Sequence, residues 1–305
     1  MMMKGVCVAL ALSICAGAAL AGKRGAGYFP NAELTTQDGK KVRFYDDVLK
    51  GRQVAINAIF TTCKDVCPLE TANMVQLRKV LGERAGKEVH LYSISVDPKR
   101  DTPEVLKAYA EKFGADWTFL TGRPEDIKAI MKKLSLIREG DDPTSRASHH
   151  AAYLIVGAES DGQWTRFSAV DNPRFLAARM GTFLGWRDME RGQSYAEAKP
   201  ITLPNGQRLF ASKCSACHTI GKGDKLGPDL AGVSARRERA WLARYIQQPD
   251  EVLAAGDPVA SALYNKYRKI GMPNLRLGSS DVDDLVTFLE SHAVAAAGKK
   301  QPHAH

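Results

Sequence analysis

Two tight cysteine pairs, Cys63/Cys67 and Cys214/Cys217, constrain this chain more than any other feature. Each pair is too local to staple distant segments together. A chain of 305 residues can also bury enough apolar surface to do without a disulfide framework. Sulfurs spaced this closely belong to redox or metal chemistry, so two such sites in two domains are expected. The other two of the six cysteines, Cys7 and Cys15, lie in the N-terminal run 5–21. That run is apolar, follows Lys4 and ends Ala19-Leu20-Ala21, the pattern of a cleaved secretory signal. An uncleaved anchor is the alternative, but the run is short against the ~20 residues of a spanning helix. A periplasmic protein of a Gram-negative bacterium, without a stable membrane span, is therefore expected.

Charge narrows the partners. Lys and Arg number 43 against 34 Asp and Glu, a formal +9, but the excess forms no basic stripe with interleaved aromatics. Nucleic acid is not expected as a partner. Residues 22–190 alternate strand and helix patterns: strands at 53–62, 88–96, 151–156 and 164–170, and helices at 68–85, 103–113 and 124–136, each with Pro near its start. That order predicts a layered α/β domain with a partly parallel sheet, the last two strands turning at Asp161-Gly162. Residues 191–204 read as a linker. Residues 205–292 show no strand signal and predict a small all-α domain with helices at 209–214, 239–247 and 281–292, and 293–305 read as a flexible tail.

Cys214-Ser215-Ala216-Cys217-His218 is a signature for covalent haem c attachment. Two thiols on one helical turn can add to the two vinyl groups, which sets His218 beneath the iron. Met272, in Gly271-Met272-Pro273, is the only Met after residue 190 and is expected as the sixth ligand. A His/Met haem has a raised potential and suits electron transfer. His292 is the rival ligand, although its place near a helix end favours a surface role. Trp241, Leu242, Tyr245, Leu285 and Phe288 are expected to form core around the macrocycle. These motifs, with Gly227-Pro228-Asp229-Leu230 after the attachment site, resemble class I cytochromes c over residues 205–292.

In the first domain, Cys63-Lys64-Asp65-Val66-Cys67-Pro68 stands where a buried strand gives way to a helix. Sulfurs four apart are expected on one side of the first turn, where the helix dipole favours thiolates. They can close a disulfide, bind Cu(I), or, with an added imidazole, hold Cu(II) as well. Ser148-His149-His150-Ala151 offers that imidazole, although a solvated histidine pair is equally consistent with the residues alone. Together with Asp97-Pro98-Lys99-Arg100-Asp101 and Trp117-Thr118-Phe119-Leu120, these segments resemble the Sco (SenC-type) family. Its members are thioredoxin-fold copper metallochaperones that help build the copper A centre of cytochrome c oxidase.

The resemblance, over about residues 28–186, implies that Cys63, Cys67 and His150 bind copper. His149 stands where many relatives carry Asp. It makes Asp97, Arg100 and Asp101 supporting residues, although capping of the next helix by Asp101 or Thr102 explains them as well. The function expected is a copper-binding assembly factor, with copper (Cu(I)/Cu(II)) and haem c as cofactors. Its expected partner is the copper-centre subunit of the oxidase or another copper or thiol client, with small redox proteins beside it. The alternatives are a thiol–disulfide oxidoreductase using Cys63 and Cys67 on client cysteines, and a haem-linked redox sensor.

Overall fold

The computed structural model describes residues 25–137, 152–186 and 203–297, with side chains described as far as 292. Its first part is a seven-stranded mixed sheet. A hairpin of β1 (Glu33–Thr36) and β2 (Lys41–Arg43) opens the chain, followed by β3 (Gln53–Ile59), α1 (Cys67–Leu81) and β4 (Val89–Ser95). Then come α2 (Pro103–Phe113), β5 (Thr118–Gly122), α3 (Pro124–Lys133), β6 (Tyr153–Ala158), β7 (Gln163–Ser168) and α4 (Pro173–Phe183). The strand order is β2-β1-β5-β4-β3-β6-β7. β3, β4 and β5 run parallel, and the outer pairs are antiparallel. This is a thioredoxin-like α/β architecture.

Alternation along β3 explains the two layers. Ala55 and Ile59 point into the core beneath α1, α2 and α4, whereas Val54 and Ile56 point into the opposite core with Phe44, Ile127 and Ile130. Asn57 shares the first face, so a buried polar side chain faces α1 from this strand. The hairpin β1–β2, the strand β5 and the helix α4 were not expected from the pattern. The strands are only three to five residues long, and the hairpin alternates too weakly to stand out from loop sequence. β3 also ends at Ile59, short of the expected Thr62.

The second part contains α5 (Asn205–Leu209), α6 (Val233–Arg236), α7 (Arg239–Gln247), α8 (Pro249–Ala254), α9 (Pro258–Lys266) and α10 (Ser279–Ala297). α10 packs against α5, α6 and α7, with Leu242, Val282 and Val286 at the centre. It runs beyond His292 to Ala297, consistent with the high helix propensity of Ala293 and Ala295–Ala297. The expected signal peptide and the linker up to residue 202 lie outside the described residues, as do His149 and His150. Among the described residues no helix is long and apolar enough to cross a membrane.

Gly206 shows how closely α5 meets α10. A Cβ there would lie 2.0 Å from the Asp284 carbonyl oxygen, while Asn205 Nδ2 donates to the Asp284 carboxylate at 2.7 Å. Gly206→Ala is expected to destabilise the helical domain by about 1–3 kcal/mol through overpacking. A lowered midpoint in a thermal melt followed by far-UV circular dichroism would be the sign, and an unchanged melt would contradict this packing.

Candidate metal and haem centres

Proline decides where the thiols sit. Pro68 lacks an N–H, so a helix cannot draw its hydrogen bond back to the Lys64 carbonyl, and α1 begins only at Cys67. Cys63 therefore lies in the turn before the helix. The expected placement of both sulfurs on the first helical turn is corrected to one in the turn and one at the helix start. They nonetheless meet. Both are free cysteines, Cys67 buried and Cys63 half-buried, with the Cys67 thiol donating to Cys63.

That hydrogen bond divides the pair electrostatically. It stabilises a Cys63 thiolate, helped by backbone N–H groups, and lowers its pKa to about 7. Cys67 is pushed the other way because it holds the shared proton and is buried. Behind them Glu70 is 3% exposed. Burial, reinforced by the charge on Cys63, raises its pKa to about 8, so it carries a proton at neutral pH. Glu70 faces Asn57, which accepts from Ser93 at 2.7 Å, while Ser93 in turn accepts from Trp117 Nε1 at 2.9 Å. No sequence signal singled out Glu70, whose role depends on lying opposite a polar residue of β3.

Asp101 is fully buried and does not cap α2. Thr102 does, accepting from the Val105 N–H at 3.4 Å. The Asp101 carboxylate instead accepts from the Thr61 hydroxyl at 2.5 Å, the Thr61 N–H at 3.1 Å and the Ser95 hydroxyl at 2.6 Å. It braces the turn two residues before Cys63. Asp97 pairs with Arg100 at 3.6 Å, at the edge of this brace. Among the described residues no cluster of three His, Cys, Asp or Glu forms a metal site. Cys63 and Cys67 supply two soft donors, and the expected imidazole of His150 or His149 lies outside the described residues.

The second centre is a cavity of about 370 Å³ in the helical domain. Cys214, Cys217, His218 and Met272 all line it, with Trp241, Tyr245 and Leu285 among its apolar walls. His292 does not; its Nδ1 is engaged with the Phe288 carbonyl at 2.9 Å. His218 Nδ1 meets the Pro228 carbonyl at 2.9 Å, which orients the ring and leaves Nε2 for a metal. Burial lowers the His218 pKa, which favours the neutral imidazole a ligand must be. Gly227 makes room for the ring, since a Cβ there would approach Cε1 to 2.6 Å. Burial pushes both thiols up to about 12, a setting that suits uncharged thioether sulfur. The donor set and the apolar cavity fit a covalently held haem.

The two centres are neighbours. Pro68, next to Cys67, lines that same cavity. Leu69 and Ala72 of α1 pack on Ala216 and Cys217 of the attachment motif, joined by Val170, Leu226 and Leu275.

Two family models match this chain. A model for SCO1/SenC matches residues 24–185, and one for cytochrome c matches residues 203–293. A SCO2-like protein of Rickettsia felis is 32% identical over 146 residues, covering 46% of this chain and 68% of its own. The structure of Bradyrhizobium japonicum ScoI with copper bound is 29% identical, with a TM-score of 0.42, covering 50% of this chain and 96% of that one. BsSco, described as a Sco-family cytochrome c oxidase assembly protein with a disulfide switch, is 27% identical, with a TM-score of 0.41, covering 51% and 92%.

The asymmetry of the thiols has a measurable consequence. In metal-free protein the alkylation rate of Cys63 is expected to rise as pH passes through about 7, because the thiolate is the reactive form. Cys67→Ala removes the donor and is expected to move that rise toward the ordinary thiol range. Identical pH profiles for wild type and variant, mapped by peptide mass, would contradict the shared proton.

Proposed function

The chain belongs to the SCO1/SenC family, and from that premise we propose that it is a periplasmic copper-handling assembly factor whose own haem serves the copper site. The copper A subunit of cytochrome c oxidase, or a similar copper client, is the proposed recipient. Copper is cargo here. Cys63 and Cys67 would hold it, with His150 as the proposed third donor. One observation carries the reading: the helix that starts at the thiol pair is packed directly on the haem-attachment motif, Leu69 and Ala72 against Ala216 and Cys217.

Haem c, held by Cys214, Cys217, His218 and Met272, would supply single-electron exchange, which matches the Cu(II)/Cu(I) couple and not a two-electron dithiol. The protein's own residues do the rest. Cys63 offers a thiolate at neutral pH, while Cys67 must release its proton when a metal takes both sulfurs. Glu70 keeps a second negative charge away from the pair by remaining protonated. Asp101 fixes the turn that carries Cys63, and Pro68 with Leu69 keeps water from the seam between the two centres. The N-terminal run 5–21 supports the periplasmic assignment.

A second reading is favoured by one observation, the unequal acidities of Cys63 and Cys67. A lowered thiolate beside a protonated partner is the arrangement of a thiol–disulfide reductase. Cys63 would attack a client disulfide, releasing one client thiol. Cys67 would then displace the other, leaving a Cys63–Cys67 disulfide and two electrons on the client.

Copper titration of the haem-loaded protein is expected to reach one equivalent. Cys63→Ser should weaken binding by more than the 10–100-fold typical of losing an outer-shell partner. Adding Cu(II) to anaerobic ferrous protein should oxidise the haem by one equivalent as the Cu(II) electron-spin signal disappears. A persistent signal beside unchanged ferrous haem would overturn the electron-exchange role. Stoichiometric reduction of a disulfide client without copper would favour the second reading.

A further inference from the structure

The loop carrying Met272 has an uncommon backbone. Among the described residues, four non-glycine positions have positive φ, and three of them flank Met272: Arg268 at 56°, Lys269 at 56° and Arg276 at 52°. The left-handed region is unfavourable for a residue with a Cβ, and two in succession compound the strain. Such a loop persists only where its surroundings over-determine it.

Much of what surrounds it belongs to the other domain. Arg268 Nη1 donates to the Lys112 carbonyl near the end of α2 at 3.3 Å. Ile270 packs on the core of the α/β domain, and Leu275 on Leu69 and Ala72. The Asn274 N–H donates to the Lys64 carbonyl at 3.1 Å. Arg276 Nη2 reaches the Asp65 carboxylate at 3.4 Å. Within its own domain the tip of the loop is tied by Asn274 Nδ2 to Asp250 at 2.8 Å. Of the three strained positions, Arg268 and Arg276 thus make polar side-chain contacts across to the α/β domain.

We infer that the α/β domain is the mould that holds the Met272 loop in its ligating shape, with Asp65 and Arg276 as positioning residues for the sixth haem ligand. Lys64 and Asp65 lie between the two cysteines, so any rearrangement of Cys63 and Cys67, by metal or by disulfide, reaches the Met272 loop through these contacts. By linkage, the ligation state of the haem acts back on the thiol pair to the same extent. The inference rests on the reading of His218 and Met272 as the axial pair, and does not depend on copper being the cargo.

The test uses full-length, haem-loaded, copper-free protein with both thiols reduced. Its readouts are the midpoint potential and the Met-to-iron charge-transfer band of the ferric visible spectrum. Asp65→Arg and Arg276→Asp are each expected to weaken the band and to shift the oxidised-to-reduced ratio about tenfold toward oxidised haem, 59 mV for a one-electron couple. Arg276→Lys should retain both signals. The charge swap, Asp65→Arg with Arg276→Asp, should restore them, which a merely structural role of either residue would not produce. Both side chains are partly solvent-exposed, so the single variants are expected to keep their fold, checked by far-UV circular dichroism. Potentials unchanged in both single variants, or a swap that adds the two losses, would overturn the inference. Failure of wild-type protein to bind copper would strike the copper-handling reading and leave this measurement intact.

Discussion

A carbonyl that a proline leaves free is the point on which the two halves of this protein meet. Pro68 has no N–H to return to Lys64, so the Lys64 oxygen needs another donor, and the Asn274 N–H supplies it from the helical domain at 3.1 Å. The same proline sets the start of α1 at Cys67 and leaves Cys63 in the turn. One local restriction thus shapes the thiol pair and exposes a docking point between its sulfurs. The apolar seam of Leu69, Ala72, Ala216 and Leu275 joins the same two domains. An exposed ion pair such as Asp65–Arg276 contributes only about 0–1 kcal/mol by itself. Its importance lies in where it holds the backbone.

Around the thiols, burial sets the chemistry as much as the sulfurs do. A protonated Glu70, a Cys67 that keeps its proton and a Cys63 near neutrality leave the pair with about one negative charge at most before a metal binds. In the helical domain the same physics works with opposite emphasis. Burial keeps Cys214 and Cys217 neutral and His218 uncharged, which suits covalent attachment and axial ligation. Two cysteine pairs of one chain are driven apart by their surroundings, one toward a thiolate and the other toward neutral sulfur.

The sequence was most legible where a function is written in adjacent residues. Cys214-Ser215-Ala216-Cys217-His218 reads directly because attachment needs two sulfurs and an imidazole within one turn. The parallel strands β3 and β4 read directly because each carries apolar residues on both faces, Val54 to Ile59 and Val89 to Ile94. β5 and the hairpin β1–β2 give little strand signal because three to five residues are too few for alternation to show. By sequence Asp101 resembles a helix cap because it precedes Thr102-Pro103. Its actual partners, Thr61 and Ser95, lie on separate strands' ends that only the sheet brings together.

Spacing alone therefore determined the donors: which sulfurs pair, which histidine follows them, and where a proline forbids helix. These are properties of a few consecutive residues and survive any arrangement of the rest. Tertiary structure decided that α1 lies on the haem-attachment motif, that Glu70 is sealed against Asn57, and that Arg268 and Arg276 hold a strained loop across the domain boundary. Those outcomes depend on residues distant in the chain whose approach is fixed by packing, and packing has no signature in the order of the residues it brings together.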